Sequence, residues 1–549
     1  MVKNFVQKGL SVVTSKQSNI FTAAFLIIVT TAMSQILGIL KYRLFASYFG
    51  ASSDLGVFFA SFRIPDLLFQ IIIVGALSSS FIPIFSEHLA KDSKKDAFDF
   101  ASAITTLGLI IFSGITIFVL IFANTLARLI APEFDSSQIE LLANLMRIIQ
   151  LSQFLFLFGT VFTAMLQSFH YFLIPGIANA LYNIGIILGV YLFVPRFGIY
   201  GAAIGVVIGA VFFVLAQLPS VISNGYIPRF RLTMKNGVSK VISLMIPRSL
   251  TIGVTQIAIT SNVFFASIIS ARSIVIFDLA MTLMAAPVFL FGQSIAQASF
   301  PTLSKVKNNM DEFRNVFRMS FNQILYLTLP ISALFIVLRI PLVRLFYGSG
   351  RFDWEATLTT GYTLAMLSFS ISVQAGMLLI SRAFYALQDT KTPFIITLFA
   401  VIINILLSIY FILYQKLPIY YLALAFSIGN ITGFVLMLLA LDRKINLPKL
   451  ELFVGALKIV VAAFVTGVAL YIPIKLLDQL VFDTTKTINL FFLTGIASSA
   501  GFGAYLFFTW LLDIKEVNYI MATIKRFKFK SKIARQIREL IDSGSRLNP

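Results

Sequence analysis

Apolar stretches long enough to cross a membrane recur along the whole chain and are separated by short polar turns. A helix needs roughly 20 apolar residues to cross the hydrocarbon core, and on this basis we predict about fourteen transmembrane helices. They cover residues 20–47, 56–87, 97–130, 141–170, 174–194, 198–222, 241–270, 273–303, 315–346, 356–385, 393–414, 418–440, 452–476 and 487–512. Several exceed the crossing length, which predicts tilt or extension beyond the bilayer.

The composition agrees with a membrane protein. The 549 residues are 58% hydrophobic and 12% charged, whereas soluble domains carry about a quarter charged residues. We therefore predict an all-α polytopic membrane protein. The net charge of +20 is explained by basic cytoplasmic segments that face anionic membrane lipids, so no nucleic-acid partner is expected.

The basic residues in the turns predict the orientation. The first outer turn, residues 50–55, has no Lys or Arg, and the exit of the third span carries Glu133, Asp135 and Glu140. Because cytoplasmic loops are enriched in Lys and Arg, both termini are expected in the cytoplasm. The basic turns contain Lys91, Lys94, Lys95, Arg229, Arg231, Lys235, Lys240, Lys305, Lys307, Arg314, Arg443, Lys444 and Lys449.

Two short similarities indicate an internal duplication. Residues 34–36 (SQI) correspond to 255–257 (TQI), and residues 80–86 (SFIPIFS) correspond to 299–304 (SFPTLS), both at an offset of about 220 residues. Six spans per repeat preserve orientation, so the halves are parallel repeats related by an axis along the membrane normal. Substrate sites in such folds lie between the repeats.

This duplication predicts four regions. Residues 1–225 form an N-lobe of helices 1–6, and residues 226–445 form a C-lobe of helices 7–12. Residues 446–514 hold two further helices, and residues 515–549 form a basic tail. The tail has apolar residues at helical spacing, which favours an amphipathic helix on the cytoplasmic leaflet over a solvated basic tail.

Two ionisable residues lie close together inside the second predicted span. Arg63 and Asp66 are three positions apart, and charges at membrane depth normally face a protein interior or a wet cavity. We expect them to pair across one helical turn, either as a structural ion pair or as part of a substrate contact. Gln70 follows on the same face and is expected to line the same cavity.

Other polar residues in the spans are further candidates. Lys41 and Arg43 end the first span at its outer side, as interfacial anchors or as a cationic wall for phosphate. Asp278 in the eighth span is either a cation or proton site or the partner of a basic residue elsewhere. Gln35 and Gln256 are equivalent in the repeat and face the centre, or form hydrogen bonds between helices.

The sequence offers no basis for an enzyme. It has no cysteine and two histidines, and it contains neither a phosphate-binding Gly-rich loop with a Lys nor a metal-ligand cluster. We expect a transporter without cofactors, driven by an ion gradient, the membrane potential or substrate flux. A coupling cation, if one is used, is not identified by the sequence.

Several motifs in order along the chain resemble one family. They are FFASFRIPDLL (58–68), GALSSSFIPIFSE (75–87), LFYGSGRFDWEAT (345–357) and SRAFYALQDTKTP (381–393). The last, with Arg382, Asp389, Thr390 and Pro393, is the most diagnostic. Together they resemble the MurJ (MviN) family of lipid II flippases, in the multidrug/oligosaccharidyl-lipid/polysaccharide exporter superfamily.

The resemblance implies a fold and a function. The fold is two six-helix lobes in a V, as in MATE transporters, plus two C-terminal helices with a groove for the lipid tail. The function is movement of undecaprenyl-pyrophosphate-linked peptidoglycan precursor from the inner to the outer leaflet of the bacterial cytoplasmic membrane. Proteins of cell-wall synthesis and division are implied as partners, with a role in cell shape.

The chain departs from the family in its cavity charges. Lys41 is the one clearly kept, and Arg63 aligns with a position that is often basic. The lead hypothesis has Lys41, Arg43 and Arg63 binding the pyrophosphate, with Gln35, Gln70 and Gln256 lining the path. Asp278 either couples to a cation or tunes the cavity. Alternatives are a flippase for another polyprenyl-linked glycan or an amphipathic drug, and a non-transporting membrane scaffold. Uncharged residues replace the family's charges at Gln35, Tyr42, Gly56, Phe69, Val74, Thr282 and Ala285.

Overall fold

The computed structural model describes residues 20–74, 81–91, 94–233, 238–477, 486–514 and 516–517, and all its regular elements there are helical. Within these ranges, π-helical segments occur at Gln70–Val74, Val288–Gln293 and Ile409–Tyr414. The α-helices are Ile20–Phe49 (α1), Ser53–Ser61 (α2), Arg63–Phe69 (α3), Ile82–Ala90 (α4), Lys94–Ile130 (α5), Ser136–Ser168 (α6), Leu173–Phe197 (α7), Ile199–Ser223 (α8), Val238–Ile269 (α9), Ala271–Pro287 (α10), Ser294–Lys305 (α11), Met310–Val337 (α12), Arg339–Tyr347 (α13), Trp354–Ser368 (α14), Ile371–Ala386 (α15), Lys391–Ser408 (α16), Ile419–Ile445 (α17), Lys449–Leu477 (α18) and Thr487–Leu511 (α19).

The structure confirms an all-α polytopic membrane protein. Thirteen helical segments in the described ranges are long and apolar enough to cross a membrane, from Ser53–Ile73 to Thr487–Leu511. Helix α1, with 30 residues, precedes them. Helix α5 has 37 residues, which at 1.5 Å per residue is longer than the bilayer core and agrees with the predicted extension beyond it.

The π-helical turns supply a structural counterpart to the predicted duplication. The turns at Gln70–Val74 and Val288–Gln293 begin 218 positions apart, close to the predicted offset. Helices α4 and α11, which follow them, contain the prolines of the two motifs that predict the duplication, Pro83 and Pro301. The spacing of these two turns agrees with the predicted offset, and the duplication itself stays a prediction.

The helices gather into two compact units. The first comprises Met1–Leu283, Phe346–Met366 and Thr397–Gly429, and the second comprises Met284–Leu345, Leu367–Ile396 and Asn430–Pro549. The four regions proposed from the sequence stay predictions. The predicted tail helix lies outside the described residues, apart from residues 516–517.

In the first unit, helices α7 and α8 pack through glycines. Gly201, Gly205 and Gly209 recur every four residues on α8, and a Cβ added to Gly185 or Gly189 of α7 would collide with the backbone of α8. Small residues at this spacing let transmembrane helices approach closely, which maximises van der Waals contact in a lipid environment.

A second contact in this unit joins segments that are distant in sequence. The backbone N–H of Arg351 donates to the carbonyl of Ser47 at 3.0 Å. Nearby, Arg272 at the start of α10 pairs with Asp353 at 2.7 Å. The family-like motif LFYGSGRFDWEAT is thus fixed against the ends of α1 and α10.

In the second unit, aromatic residues organise the core. Phe317 and Phe321 stack one helical turn apart on α12, and Phe434 of α17 stacks on Phe321. Tyr505 of α19 is buried and donates a hydrogen bond to the carbonyl of Tyr326 at 2.6 Å. The last two helices are therefore attached to this unit, since α18 and α19 also pack against each other.

Candidate functional site

Arg63 and Asp278 form an ion pair inside the first unit. Arg63 opens α3 and Asp278 lies in the middle of α10, and Nη2 donates to Oδ1 at 2.5 Å. The two side chains are 16% and 20% exposed. Asp278 is thus paired with a basic residue of another helix, one of the two options that the sequence leaves open.

The predicted pairing of Arg63 with Asp66 is wrong. Asp66 instead accepts a short hydrogen bond from the side-chain amide of Gln153 on α6. The spacing on α3 allows the local pair. Asp278, which is 215 residues away in sequence, nevertheless forms the ion pair with Arg63. Tertiary packing decides between the two acids, and the spacing within one helix cannot reveal it.

Tyr42 and Lys41 of α1 complete this cluster. The Tyr42 hydroxyl donates to Oδ2 of Asp278 at 3.2 Å. Lys41 Nζ lies 5.0 Å from the centre of the Tyr42 ring and 6.0 Å from that of Tyr182, which places its charge over aromatic faces. Within the described part of the chain Lys41 makes no ion pair, so its ammonium group can bind an anion that enters the site.

These side chains line one cavity of about 210 Å³. Two cations, two acids and two phenols face it, and phenylalanines and aliphatic residues form the remaining wall. The cavity can therefore hold water and a small anion at membrane depth, where charges are otherwise costly. Its polar wall consists of Lys41, Tyr42, Arg63, Asp66, Tyr182 and Asp278.

The other predicted site residues lie elsewhere. Gln35 is exposed on α1, whereas Arg43, Gln70 and Gln256 are half-buried. None of them lines this cavity. The structure thus brings together Lys41, Arg63, Asp66 and Asp278 and leaves the remaining candidates apart.

The sequence reasoning missed three residues of the cluster. Tyr42, Tyr182 and Gln153 are uncharged, so they do not stand out in a search for ionisable residues in apolar spans. Gln153 is 5% exposed. A buried amide in the middle of a span is a usable signal, because it must find a hydrogen-bond partner there.

The motif SRAFYALQDTKTP forms a structural junction in the second unit. Asp389 accepts hydrogen bonds from the backbone N–H of Lys391 and of Thr392 and from the Thr392 hydroxyl, and it caps α16. Lys444 at the end of α17 pairs with Asp389 at 2.6 Å. Arg382 lies 5.5 Å from the ring centre of Phe300, whereas Thr390 is exposed and Pro393 is buried.

Replacing Asp389 is expected to loosen this junction. Burial alone would raise the pKa of Asp389, but hydrogen bonds from Lys444 and Thr392 outweigh it and lower the pKa from 3.8 to about 2. The charged form is thus the stabilising one. Asp389→Ala is expected to cost about 1 kcal/mol, as for loss of a helix cap, and to speed amide exchange in the first turn of α16.

The pH dependence gives this prediction a sign. Because the folded pKa is depressed, the difference between wild type and Asp389→Ala should be constant from pH 7 to pH 5 and shrink as the pH falls towards 2. Hydrogen exchange measured by mass spectrometry tests this, with Thr390→Ala at the exposed neighbour as the control. Equal exchange in the two variants would contradict the capping role.

An apolar cavity of about 710 Å³ lies in the second unit. Helices α12, α15, α17 and α18 line it with Phe321, Leu325, Phe434, Phe453 and Phe464, among others. Asp442 and Lys449, paired at 2.9 Å, also belong to its wall. The groove predicted for residues 446–514 stays a prediction, and α18 is the part of that region which lines this cavity.

Comparison with known proteins gives one family. The family model described as "Lipid II flippase MurJ" matches residues 45–492. A probable lipid II flippase MurJ of Buchnera aphidicola subsp. Baizongia pistaciae is 27% identical over 520 residues, which cover 92% of this chain and 100% of the relative. One of Borreliella burgdorferi is 27% identical over 447 residues, covering 80% of this chain and 87% of the relative.

Solved structures agree with this result. The lipid II flippase MurJ in an inward closed conformation matches with a TM-score of 0.76 at 26% identity, covering 89% of this chain and 98% of that structure. An inward-facing MATE family transporter of the MOP superfamily matches with a TM-score of 0.63 at 17% identity, over 76% of this chain and 98% of that structure, which shows a shared fold. Since the family model matches most of its length, the chain belongs to the MurJ family of lipid II flippases.

Proposed function

We propose that the protein moves lipid II from the inner to the outer leaflet of the bacterial cytoplasmic membrane. The observation that carries this proposal is the family match over residues 45–492. The relatives named above have lipid II flippase in their names, which favours this cargo over another polyprenyl-linked glycan, a drug or a scaffold role. Anionic membrane lipids and cell-wall synthesis and division proteins are the proposed partners.

The cavity of the first unit is the proposed binding site for the diphosphate of lipid II. Lys41 presents a charge without an ion pair in the described residues, and Arg63 has donor groups beyond the one that binds Asp278. Guanidinium and ammonium groups are the usual protein partners of phosphate oxygens. Gln35, Arg43, Gln70 and Gln256 lie outside this cavity, and their roles in binding the diphosphate (Arg43) and lining the path (the three glutamines) stay predictions.

The apolar cavity of the second unit is the proposed site for part of the polyprenyl tail. Its volume of about 710 Å³ and its phenylalanine and leucine lining suit an aliphatic chain. The free energy falls when such a chain leaves water or fills an apolar void. Alternating access of two six-helix lobes, with both termini in the cytoplasm, is the proposed transport mechanism. Asp278 is the proposed coupling residue, and the coupling cation is left open.

Complementation in a strain depleted of its own lipid II flippase tests the proposal. Wild type is expected to restore growth, whereas Arg63→Glu should fail, because it places a second acid beside Asp278 and removes a phosphate-binding cation. The matched control is Lys91→Glu, the same charge reversal at a side chain 69% exposed outside the spans. Failure of wild type at normal membrane levels would overturn the cargo assignment, and rescue by Arg63→Glu would overturn the site.

A further inference from the structure

The Arg63–Asp278 pair uses little of the binding capacity of the guanidinium. Arg63 has five N–H donors, and its hydrogen bond in the described part of the chain is the one from Nη2 to Asp278. The Nε group is buried and has no hydrogen-bond partner among the described residues. Structural Arg–carboxylate pairs are frequently bidentate, so this single-oxygen contact leaves a face of the guanidinium unused.

Asp278 is held by a second partner that does not depend on Arg63. The Tyr42 hydroxyl donates to Oδ2, the oxygen that Arg63 does not contact. If Arg63 turned towards another anion, the carboxylate would keep one hydrogen bond. An unpartnered carboxylate in the membrane would be far more costly, and Tyr42 therefore makes an exchange of partners feasible.

The charges that line the cavity cancel when all four groups are ionised. Lys41 and Arg63 contribute two positive charges, and Asp66 and Asp278 contribute two negative ones. A diphosphate brings further negative charge into a low-dielectric site, where like charges in close contact are strongly unfavourable. This repulsion favours an arrangement in which a carboxylate withdraws from the bound phosphate, and Asp278 is the carboxylate in contact with the phosphate-binding cation.

We propose that Asp278 is a resident counter-ion of Arg63 which a diphosphate group must displace. This inference rests on the proposed function, from which it takes the diphosphate. Before cargo binds, Asp278 neutralises Arg63; when cargo arrives, the phosphate oxygens take its place while Tyr42 retains the carboxylate. The return of Asp278 to Arg63 then competes with the bound diphosphate and promotes its release. Asp278 is thus a positioning residue that opposes binding.

The test is binding of inorganic pyrophosphate to the purified full-length protein in detergent, measured by titration calorimetry. Asp278→Asn is expected to bind about tenfold more tightly than wild type, a coupling of the size measured for close charge pairs. Asp278→Ser should change affinity in the same direction and serves if the Asn variant does not fold. If Asp278 only held Arg63 in place, both variants would bind more weakly, so the sign of the change decides.

Two further variants separate the explanations. Asp66→Asn removes the same charge from the same cavity but from a residue that Gln153 holds, and it should tighten binding much less. Equal tightening by Asp66→Asn and Asp278→Asn would overturn the counter-ion role in favour of net charge alone. Arg63→Gln should lose binding. If it binds like wild type, the proposed diphosphate site fails. If Arg63→Gln loses pyrophosphate binding but Asp278→Asn does not bind pyrophosphate more tightly than wild type, the counter-ion inference alone fails.

Discussion

Exchanging the two charges, Arg63→Asp with Asp278→Arg, is expected to restore the stability that Arg63→Asp alone removes, but not transport. Breaking a buried ion pair by changing one partner costs about 3–5 kcal/mol, because the other charge is left uncompensated. Here the single variant also sets two acids face to face. The double variant re-forms an ion pair in which the carboxylate lies on α3 and the guanidinium on α10.

Transport is expected to remain lost because the cation moves. In the double variant the guanidinium starts from α10, its Nε no longer occupies the buried position that it has in Arg63, and Tyr42 faces a cation in place of its acceptor. Thermal unfolding in detergent measures the stability, and complementation of flippase depletion measures transport. A double variant that recovers both would show that the pair serves the fold alone.

The architecture of this protein is largely accessible from the sequence. Spans are set by runs of apolar residues whose length is fixed by the bilayer, so their positions follow from hydropathy. Two short motifs predict the duplication, and the π-helical turns at Gln70–Val74 and Val288–Gln293 are separated by nearly the same offset. The close packing of α7 and α8 is also predictable, because glycines recur at intervals of four residues on α8. The predictions above did not include it.

The site was less accessible. Arg63, Lys41 and Asp278 were found because ionisable groups are rare in apolar spans. The pairing of Arg63 with Asp278 could not be predicted. Asp66 and Asp278 are both acids, and only tertiary packing decides which of them contacts Arg63. Gln35 and Gln256 were expected at the centre on the strength of the repeat, yet neither lines the cavity. Equivalence in a repeat fixes a residue's place along a helix but not what packs against it.

The same limit applies to the motif around Asp389. Its resemblance to the family made it a candidate site. The contacts show that Asp389 caps α16 and pairs with Lys444 at the end of α17. A capping Asp and a following Pro at the third position of a helix are recognisable signals of a helix start. The pairing with Lys444 across 55 residues is not visible in the sequence.

Cross-linking residue 47 to residue 351 is expected to stop transport. In Ser47→Cys with Arg351→Cys, a disulfide would join two segments whose backbones are hydrogen-bonded at 3.0 Å. Alternating access requires each end of the cavity to open in turn between the two predicted lobes, residues 1–225 and 226–445. Residue 47 belongs to the first lobe and residue 351 to the second, and the predicted orientation places this contact at the outer end of α1. A disulfide needs Cα atoms about 4.4–6.8 Å apart, so the bond would hold the contact closed.

The chain makes this experiment unusually clear, because it contains no cysteine and the two introduced thiols can pair only with each other within one molecule. Oxidised cells are expected to lose complementation by the double variant, and reductant should restore it. Each single variant serves as the control for the loss of Ser47 or Arg351 and should support growth under both conditions. Full growth with nearly complete cross-linking would show that this contact stays closed throughout the transport cycle, and the outer opening would then have to lie elsewhere in the bundle.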